Sequence, residues 1–253
     1  MSGRIDSFRR RLVDREPLIG TFMKTPFPVV AEVLGMSSLD VVVIDTEHAP
    51  FGRVEQDLCL GTLRSADMPS VVRVADDSAT QIRNALDSGA TGIMVPHVTS
   101  AAQAESIVRA AHFGDGGRGY AGSPRAAGYG QKSMSDHLAD SARQTTIILQ
   151  IEDIPALERV EEIAAVEGVD CLFVGRVDLA VAMQKGVFDD AVVDAVEGIV
   201  ATCTATGTAV GMFTPDLDEI PGWTDKGTSL YLLSSDQTML LAGANQLAAT
   251  LKR

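Results

Sequence analysis

"VVVIDTEHAPFG", residues 41–52, begins as an apolar strand and ends in a cluster of ionisable groups. Val41 to Ile44 are apolar in succession, with no alternation. Such a strand is buried on both faces, as a parallel strand covered by helices is. The run then ends in Asp45, Glu47 and His48, closed off by Pro50 and Gly52. Ionisable groups gathered where a buried strand stops suit a parallel barrel, whose chemistry is built at the strand ends.

Working outward, runs of the same kind recur as "LIGTFM" (18–23), "SVVRV" (70–74), "GIMVP" (92–96), "TIILQIE" (146–152), "CLFVG" (171–175), "AVGMF" (209–213) and "LYLLS" (230–234), eight in all with the first. Between them "VEQDLCLGTLRSA" and "SATQIRNALDSG" repeat apolar residues at three- and four-residue spacing, as helices do. Gly89, Gly168, Gly207 and Gly227 follow helical stretches in the manner of C-terminal caps. The alternation predicts one (β/α)8 TIM barrel domain over residues 1–253. A doubly wound open sheet is the alternative, but no glycine-rich phosphate fingerprint follows the first strand. The opening "MSGRIDSFRRRLVDREP" reads as a short amphipathic helix and lacks the apolar core of a signal peptide.

Composition narrows the function. A net charge of -13 argues against nucleic acid, which needs a basic surface, and is read as a solubility device. No apolar run approaches the roughly 18 residues of a membrane span. Cys59, Cys171 and Cys203 have no metal-type spacing and read as buried reduced thiols of a cytoplasmic protein. Trp223 and the nine methionines read as core or interface filling, and His112 and His137 as surface residues. Residues 114–145 break the rhythm as one long connection on the N-terminal side of the fifth strand. It serves subunit contacts, covers a neighbouring subunit's pocket, or is a simple surface excursion. Its "GGRGYAG" has glycines spaced as in a phosphate loop, but no strand precedes it.

The strand ends present Asp45, Glu47 and His48, then Arg73, Pro96 and His97, Gln150 and Glu152, Gly175 and Asp178, and Ser235 and Asp236. Glu152 and Asp178 come from adjacent strands. Two carboxylates that leave room for water and substrate suit a hard divalent cation such as Mg²⁺ or Mn²⁺. An arginine holds an oxyanion with its planar fork. A histidine beside an aspartate is oriented by it and kept basic. Alone, Asp45 and His48 would read as a structural ion pair; their common rim with Arg73, Glu152 and Asp178 favours chemistry. Glu47 is either a partner of metal-bound waters or a charge at a helix start, and His97 a loop hydrogen-bonding residue. Lys24 is the one lysine at a strand end, which disfavours a Schiff-base mechanism.

"IDTEHAP", "RV" at 73–74, "MVPHV", "QIE" and "VGRVDLA" together resemble the HpcH/HpaI family of class II pyruvate aldolases, from about residue 17 to the C-terminus. The resemblance implies metal-dependent, reversible retro-aldol cleavage of a 4-hydroxy-2-oxo acid or 2-keto-3-deoxy sugar acid to pyruvate and an aldehyde. It implies Glu152 and Asp178 as ligands of a divalent metal (Mg²⁺, Mn²⁺ or Co²⁺). Arg73 would stabilise the enolate, and His48, paired with Asp45, would be the base working through a metal-bound water. Gln150 would lie near pyruvate, and the amides around Val177 and Asp178 would hold its carboxylate. Asp87 would reach a neighbouring subunit's site. It further implies a homo-hexamer, a trimer of dimers that swap the last helix, "MLLAGANQLAATL". Two departures stand out: Arg176 replaces the usual proline of G-P-x-D-L, and Ala180 a common serine. Arg176 either points to solvent or contacts an anionic substrate or the far side of the turn. The same enolate chemistry would also serve citrate-type condensation, oxaloacetate decarboxylation or a CoA-ester lyase. For a CoA ester only Arg118 and Arg125 hint at a basic groove.

Overall fold

The computed structural model describes residues 3–214 and 216–251. The eight apolar runs are eight strands, closed in chain order into one barrel. They are β1 (Leu18–Met23), β2 (Val41–Asp45), β3 (Ser70–Arg73), β4 (Gly92–Val95), β5 (Thr146–Ile151), β6 (Cys171–Val174), β7 (Ala209–Phe213) and β8 (Leu230–Ser235). Four of them stop one residue short of the apolar runs, and β8 runs one further, to Ser235. All neighbours are parallel, with helices between them, so the chain is a (β/α)8 barrel.

Burial follows from that closure. Every residue of β2 to β6 is buried, because one side chain points into the barrel and the next against the helices. Val41, Val43, Val71, Met94, Ile148, Cys171, Phe173 and Leu232 form the inner core. Phe8 and Leu12, from the helix Arg4–Val13, join that core and close the barrel at its N-terminal end. Val42, Ile44, Val72, Ile93, Leu149 and Leu172 pack outward against helical side chains. Gly207 and Gly227 cap their helices in the left-handed region, with φ of 81° and 116°. Cys59, Cys171 and Cys203 are free and buried.

The connection 114–145 is more ordered than its composition suggests. It holds a 3-10 turn, Arg125–Gly130, and a helix, Met134–Gln144, capped by Ser133, whose Oγ accepts the Asp136 N–H at 3.1 Å. His137 is buried, which corrects its surface reading; its ring packs on Phe113 and Tyr120 at 5.3 and 5.8 Å. His112 is half-buried. Arg118 pairs with Asp87 at 2.5 Å and Arg125 with Asp57 at 2.6 Å, so neither is free for a phosphate. Trp223, Met23, Met68, Met94 and Met212 are core residues, whereas Met36 and Met134 are exposed.

The last helix, Asp236–Ala249, buries none of its residues; Leu240, Leu241 and Leu247 face outward. Its start is pinned to β1, where the Asp236 carboxylate accepts the N–H groups of Lys24 and Thr25 at 2.7 and 3.1 Å. Among the described residues no helix is long and apolar enough to cross a membrane.

Candidate active site

Strand register builds the first half of the site. Asp45 and Arg73 are directly paired residues at the ends of β2 and β3. Both are buried, and they bind through two parallel hydrogen bonds: Arg73 Nε donates to Oδ1 at 3.1 Å and Nη2 to Oδ2 at 2.8 Å. Oδ1 also accepts the backbone N–H groups of Glu47 and His48, and Lys24 Nζ lies 3.3 Å from Oδ2. Burial alone would raise the Asp45 carboxyl. The Arg73 hydrogen bonds and charge, with the His48 N–H and Lys24, outweigh burial and hold it below its ordinary value.

This corrects the expected pairing of Asp45 with the His48 imidazole. Asp45 binds the His48 backbone, and its carboxylate belongs to Arg73. The carboxylate nearest the imidazole is Glu47, with Oε2 3.7 Å from His48 Nε2. Glu47 also lies 3.2 Å from Arg73 Nε and 3.6 Å from His97 Nε2, so it faces the site. Its Oε2 is buried and accepts no hydrogen bond from the described residues.

The second half lies past β5 and β6. Glu152 is 2% exposed. Its Oε1 accepts the His97 N–H at 2.9 Å and its Oε2 accepts the Gln150 side-chain amide. Burial raises the Glu152 carboxyl; the His97 and Gln150 hydrogen bonds pull it down, Asp178 pushes it up, and the net direction is up. Gly175 is required here, because a Cβ would stand 2.7 Å from Glu152 Oε2 and 2.8 Å from its Cβ. Asp178 lies in the first turn of the helix Arg176–Ala182. His97 adopts φ of 56° and sets Nδ1 3.0 Å from Asp153 Oδ2. Burial would lower its imidazole, but Asp153, Glu152 and Glu47 raise it.

A cavity of about 670 Å³ spans the two halves, and Asp45, Glu47, His97 and Glu152 stand outside its lining. Lys24, His48, Arg73, Gln150, Val177 and Asp178 line it, with Phe22, Phe173, Phe213 and Thr214. The aromatic residues went unread because an inward position on a strand is legible only once register is known. Asp87 does not line this chain's cavity; it is held by Arg118. Arg176 is buried, not in solvent, and binds Glu219.

Among the described residues no group of three or more metal-ligating side chains is gathered. Glu152 and Asp178 are two oxygen donors, as suits Mg²⁺ or Mn²⁺, which keep several waters or substrate oxygens. The donors fit such an ion. Glu152 is a carboxylate raised chiefly by burial and further by Asp178, and Gln150 Oε1 beside it is a buried acceptor without a partner among the described residues.

The profile of the HpcH/HpaI aldolase/citrate lyase family matches residues 18–242. A hydroxypyruvate/pyruvate aldolase of Paraburkholderia phytofirmans is 34% identical, with 97% of each chain covered. A 2-dehydro-3,6-dideoxy-6-sulfogluconate aldolase of Pseudomonas putida is also 34% identical, over 92% of each. The crystal structure of an HpcH/HpaI aldolase/citrate lyase family protein from Burkholderia cenocepacia superposes with a TM-score of 0.92 at 33% identity, covering 98% of this chain and 100% of that one.

The buried pair of Asp45 and Arg73 makes stability depend on pH in a stated direction. A carboxyl held below its ordinary value contributes its full stability above that value and loses it as pH falls through the folded value. Asp45→Asn should destabilise the protein by about 3–5 kcal/mol at neutral pH, the scale for breaking a buried pair. The difference should close only below about pH 3.9, where the native carboxyl protonates. Urea unfolding of both proteins across a pH series measures it; equal stability at pH 7 would show that Asp45 does not anchor Arg73.

Proposed function

The chain belongs to the HpcH/HpaI aldolase/citrate lyase family and is a carbon–carbon lyase; on that premise we propose that it cleaves a 4-hydroxy-2-oxo acid, reversibly, to pyruvate or a related 2-oxo acid and an aldehyde. The observation that carries this reading is the meeting, on one cavity, of an immobilised Arg73 with Asp178 and with Gln150, whose side-chain amide binds the buried carboxylate of Glu152. Glu152 and Asp178 would hold a divalent cation. Bound there, it would supply Lewis-acid polarisation of the 2-oxo group.

The chain's own groups do the rest. Retro-aldol cleavage breaks the C3–C4 bond of the substrate once the C4 hydroxyl loses its proton. The electron pair left on C3 is taken up by the 2-oxo group as an enolate. Arg73 offers its planar N–H face to that oxygen, and because Asp45 holds it rigid, no reorganisation is needed as charge develops. His48 takes the hydroxyl proton, and Glu47 stands 3.7 Å from its Nε2. The amides of Val177 and Asp178 hold the substrate carboxylate. Gln150 orients Glu152 with its amide and leaves Oε1 toward the site. The phenyl rings of Phe22, Phe173 and Phe213 exclude water from the enolate. The final helix, unpartnered here, would dock on a second copy, as in a hexamer of swapped dimers, and Asp87 would then serve a neighbouring copy's cavity.

Metal dependence is tested by Glu152→Gln. Mn²⁺ should raise the melting temperature of the native protein and leave that of the variant unchanged, with turnover lost. Full retro-aldol activity in protein stripped of metal and verified metal-free would end this reading.

The base is tested by proton exchange. His48→Ala should slow exchange of the pyruvate methyl protons into deuterated water by about 10²–10⁴-fold, followed by NMR. Glu47→Gln should slow it in the same direction, since Glu47 is the carboxylate that faces the imidazole. Wild-type exchange in His48→Ala would move the base elsewhere, with His97 next in line.

Assembly is tested by ending the chain after Ser235. The truncated protein should lose its oligomeric state in light scattering and most of its stability. A folded, active monomer would rule the swap out.

A further inference from the structure

The mechanism above leaves Arg176 unused, yet it is a buried, hydrogen-bonded arginine on the cavity wall. It follows Gly175 directly and precedes Asp178 by two positions. Its side chain is 5% exposed. Nε donates to the Val187 carbonyl at 3.0 Å, and Nη1 donates to both carboxylate oxygens of Glu219 at 3.1 and 3.0 Å. The guanidinium carbon lies 4.8 Å from the ring centre of Phe188 and 5.9 Å from that of Trp223. Glu219 Oε2 accepts in addition from Thr214 Oγ1 at 3.2 Å, and Thr214 stands at the end of β7 on the cavity wall. One side chain therefore joins the turn after β6, the segment Val187–Phe188 and the segment after β7.

The backbone explains why such a tie is needed. Arg176 is the first residue of its helix, the position where a proline ring would fix φ near −65°. Arginine has no such restraint, and it follows Gly175, the softest residue type. No side chain caps the helix Arg176–Ala182 at its start, and Val177 is exposed. Gly175 is held by its N–H on the Ile151 carbonyl and its carbonyl on the Leu179 N–H, at 3.0 and 2.9 Å, and the Arg176 side chain is the further tie on the residues before Asp178. We propose that Arg176 is a positioning residue: its clamp on Glu219 and Val187 sets the place of the Gly175–Asp178 turn, and with it the carboxylate of Asp178 and the backbone amides of Val177 and Asp178. The clamp does by a charged, ring-stacked side chain what proline does by its covalent ring. The inference rests on the reading of Asp178 as a metal ligand.

The test compares Arg176→Ala, Arg176→Lys, Arg176→Pro and Glu219→Gln. Three quantities are read: amide hydrogen exchange of the 175–179 turn in metal-free protein, Mn²⁺ affinity by calorimetry, and the pyruvate concentration dependence of methyl-proton exchange. Arg176→Ala should speed exchange of the turn and weaken Mn²⁺ by about tenfold each, the scale of one coupled contact. The KM for pyruvate should rise similarly, while kcat at saturating Mn²⁺ and pyruvate stays within about threefold. Arg176→Pro should recover most of the loss, and Arg176→Lys less, because an ammonium lacks the fork that reaches Glu219 and Val187 together. Glu219→Gln should act in the same direction as Arg176→Ala but change nothing when combined with Arg176→Pro. Native turn exchange and Mn²⁺ affinity in both Arg176→Ala and Glu219→Gln, with only a lower melting temperature, would overturn the proposal. Should Arg176→Ala fail to fold, Glu219→Gln decides alone. A wild-type protein that binds no Mn²⁺ would refute the metal-site reading by itself, and the exchange data would still decide the clamp.

Discussion

The buried pair of Asp45 and Arg73 is the interaction on which the rim of the barrel depends. Two charges taken out of water lose hydration that their attraction restores only when geometry is good and every remaining site is bonded. Here the register of β2 and β3 places them side by side, and two backbone N–H groups and Lys24 complete the carboxylate. That one carboxylate reaches β1 through Lys24, β2 through its own turn and β3 through Arg73. Asp236 repeats the device where the barrel closes, binding the N–H groups past β1 from the end of β8. Two aspartates thus tie four consecutive strand ends, and the residues that face substrate stand on a fixed frame.

Across the cavity the logic is reversed. Burial and the nearby Asp178 raise the Glu152 carboxyl, and its close partners are the Gln150 amide, the His97 N–H and, at 3.4 Å, the His97 imidazole. The barrel tolerates this because β5 and β6 are held by their ladder and their packed outer faces. Gly175 leaves space for the Glu152 side chain at the one point where any other residue would push it away. A site that is overcharged on one side and pinned on the other is oriented before any ligand arrives, which is the form of preorganisation that lowers barriers most.

The strands were legible because both their faces are buried, so apolar runs such as Val41–Ile44 and Ile147–Leu149 carry no competing alternation. The rim was legible for the opposite reason: charged residues at the end of such runs have no place in a core. Contacts were not. Asp45 and His48 are three residues apart and look like partners, whereas the true partner of Asp45 lies 28 residues away and is chosen by register. For Arg176 the sequence leaves solvent and a contact both open, because its partners lie 11 and 43 residues downstream. The helix Met134–Gln144 was hidden by the glycines before it, although Ser133 followed three residues later by Asp136 is a helix-start signal. The matches to known aldolases bear on the family and leave these individual contacts to geometry.

Phe8 and Leu12 seal the barrel at the end away from the catalytic rim. The cavity is therefore a well with one mouth, and traffic through it is a queue. For the proposed reaction, a 2-oxo acid held between Gln150, Gly175 and Arg73 would have to enter before the aldehyde in the addition direction. In cleavage the aldehyde would have to leave first, and water would reach the enolate only after that departure. Ordered kinetics in this protein would be a property of its plugged floor, set by a helix that touches no reacting atom.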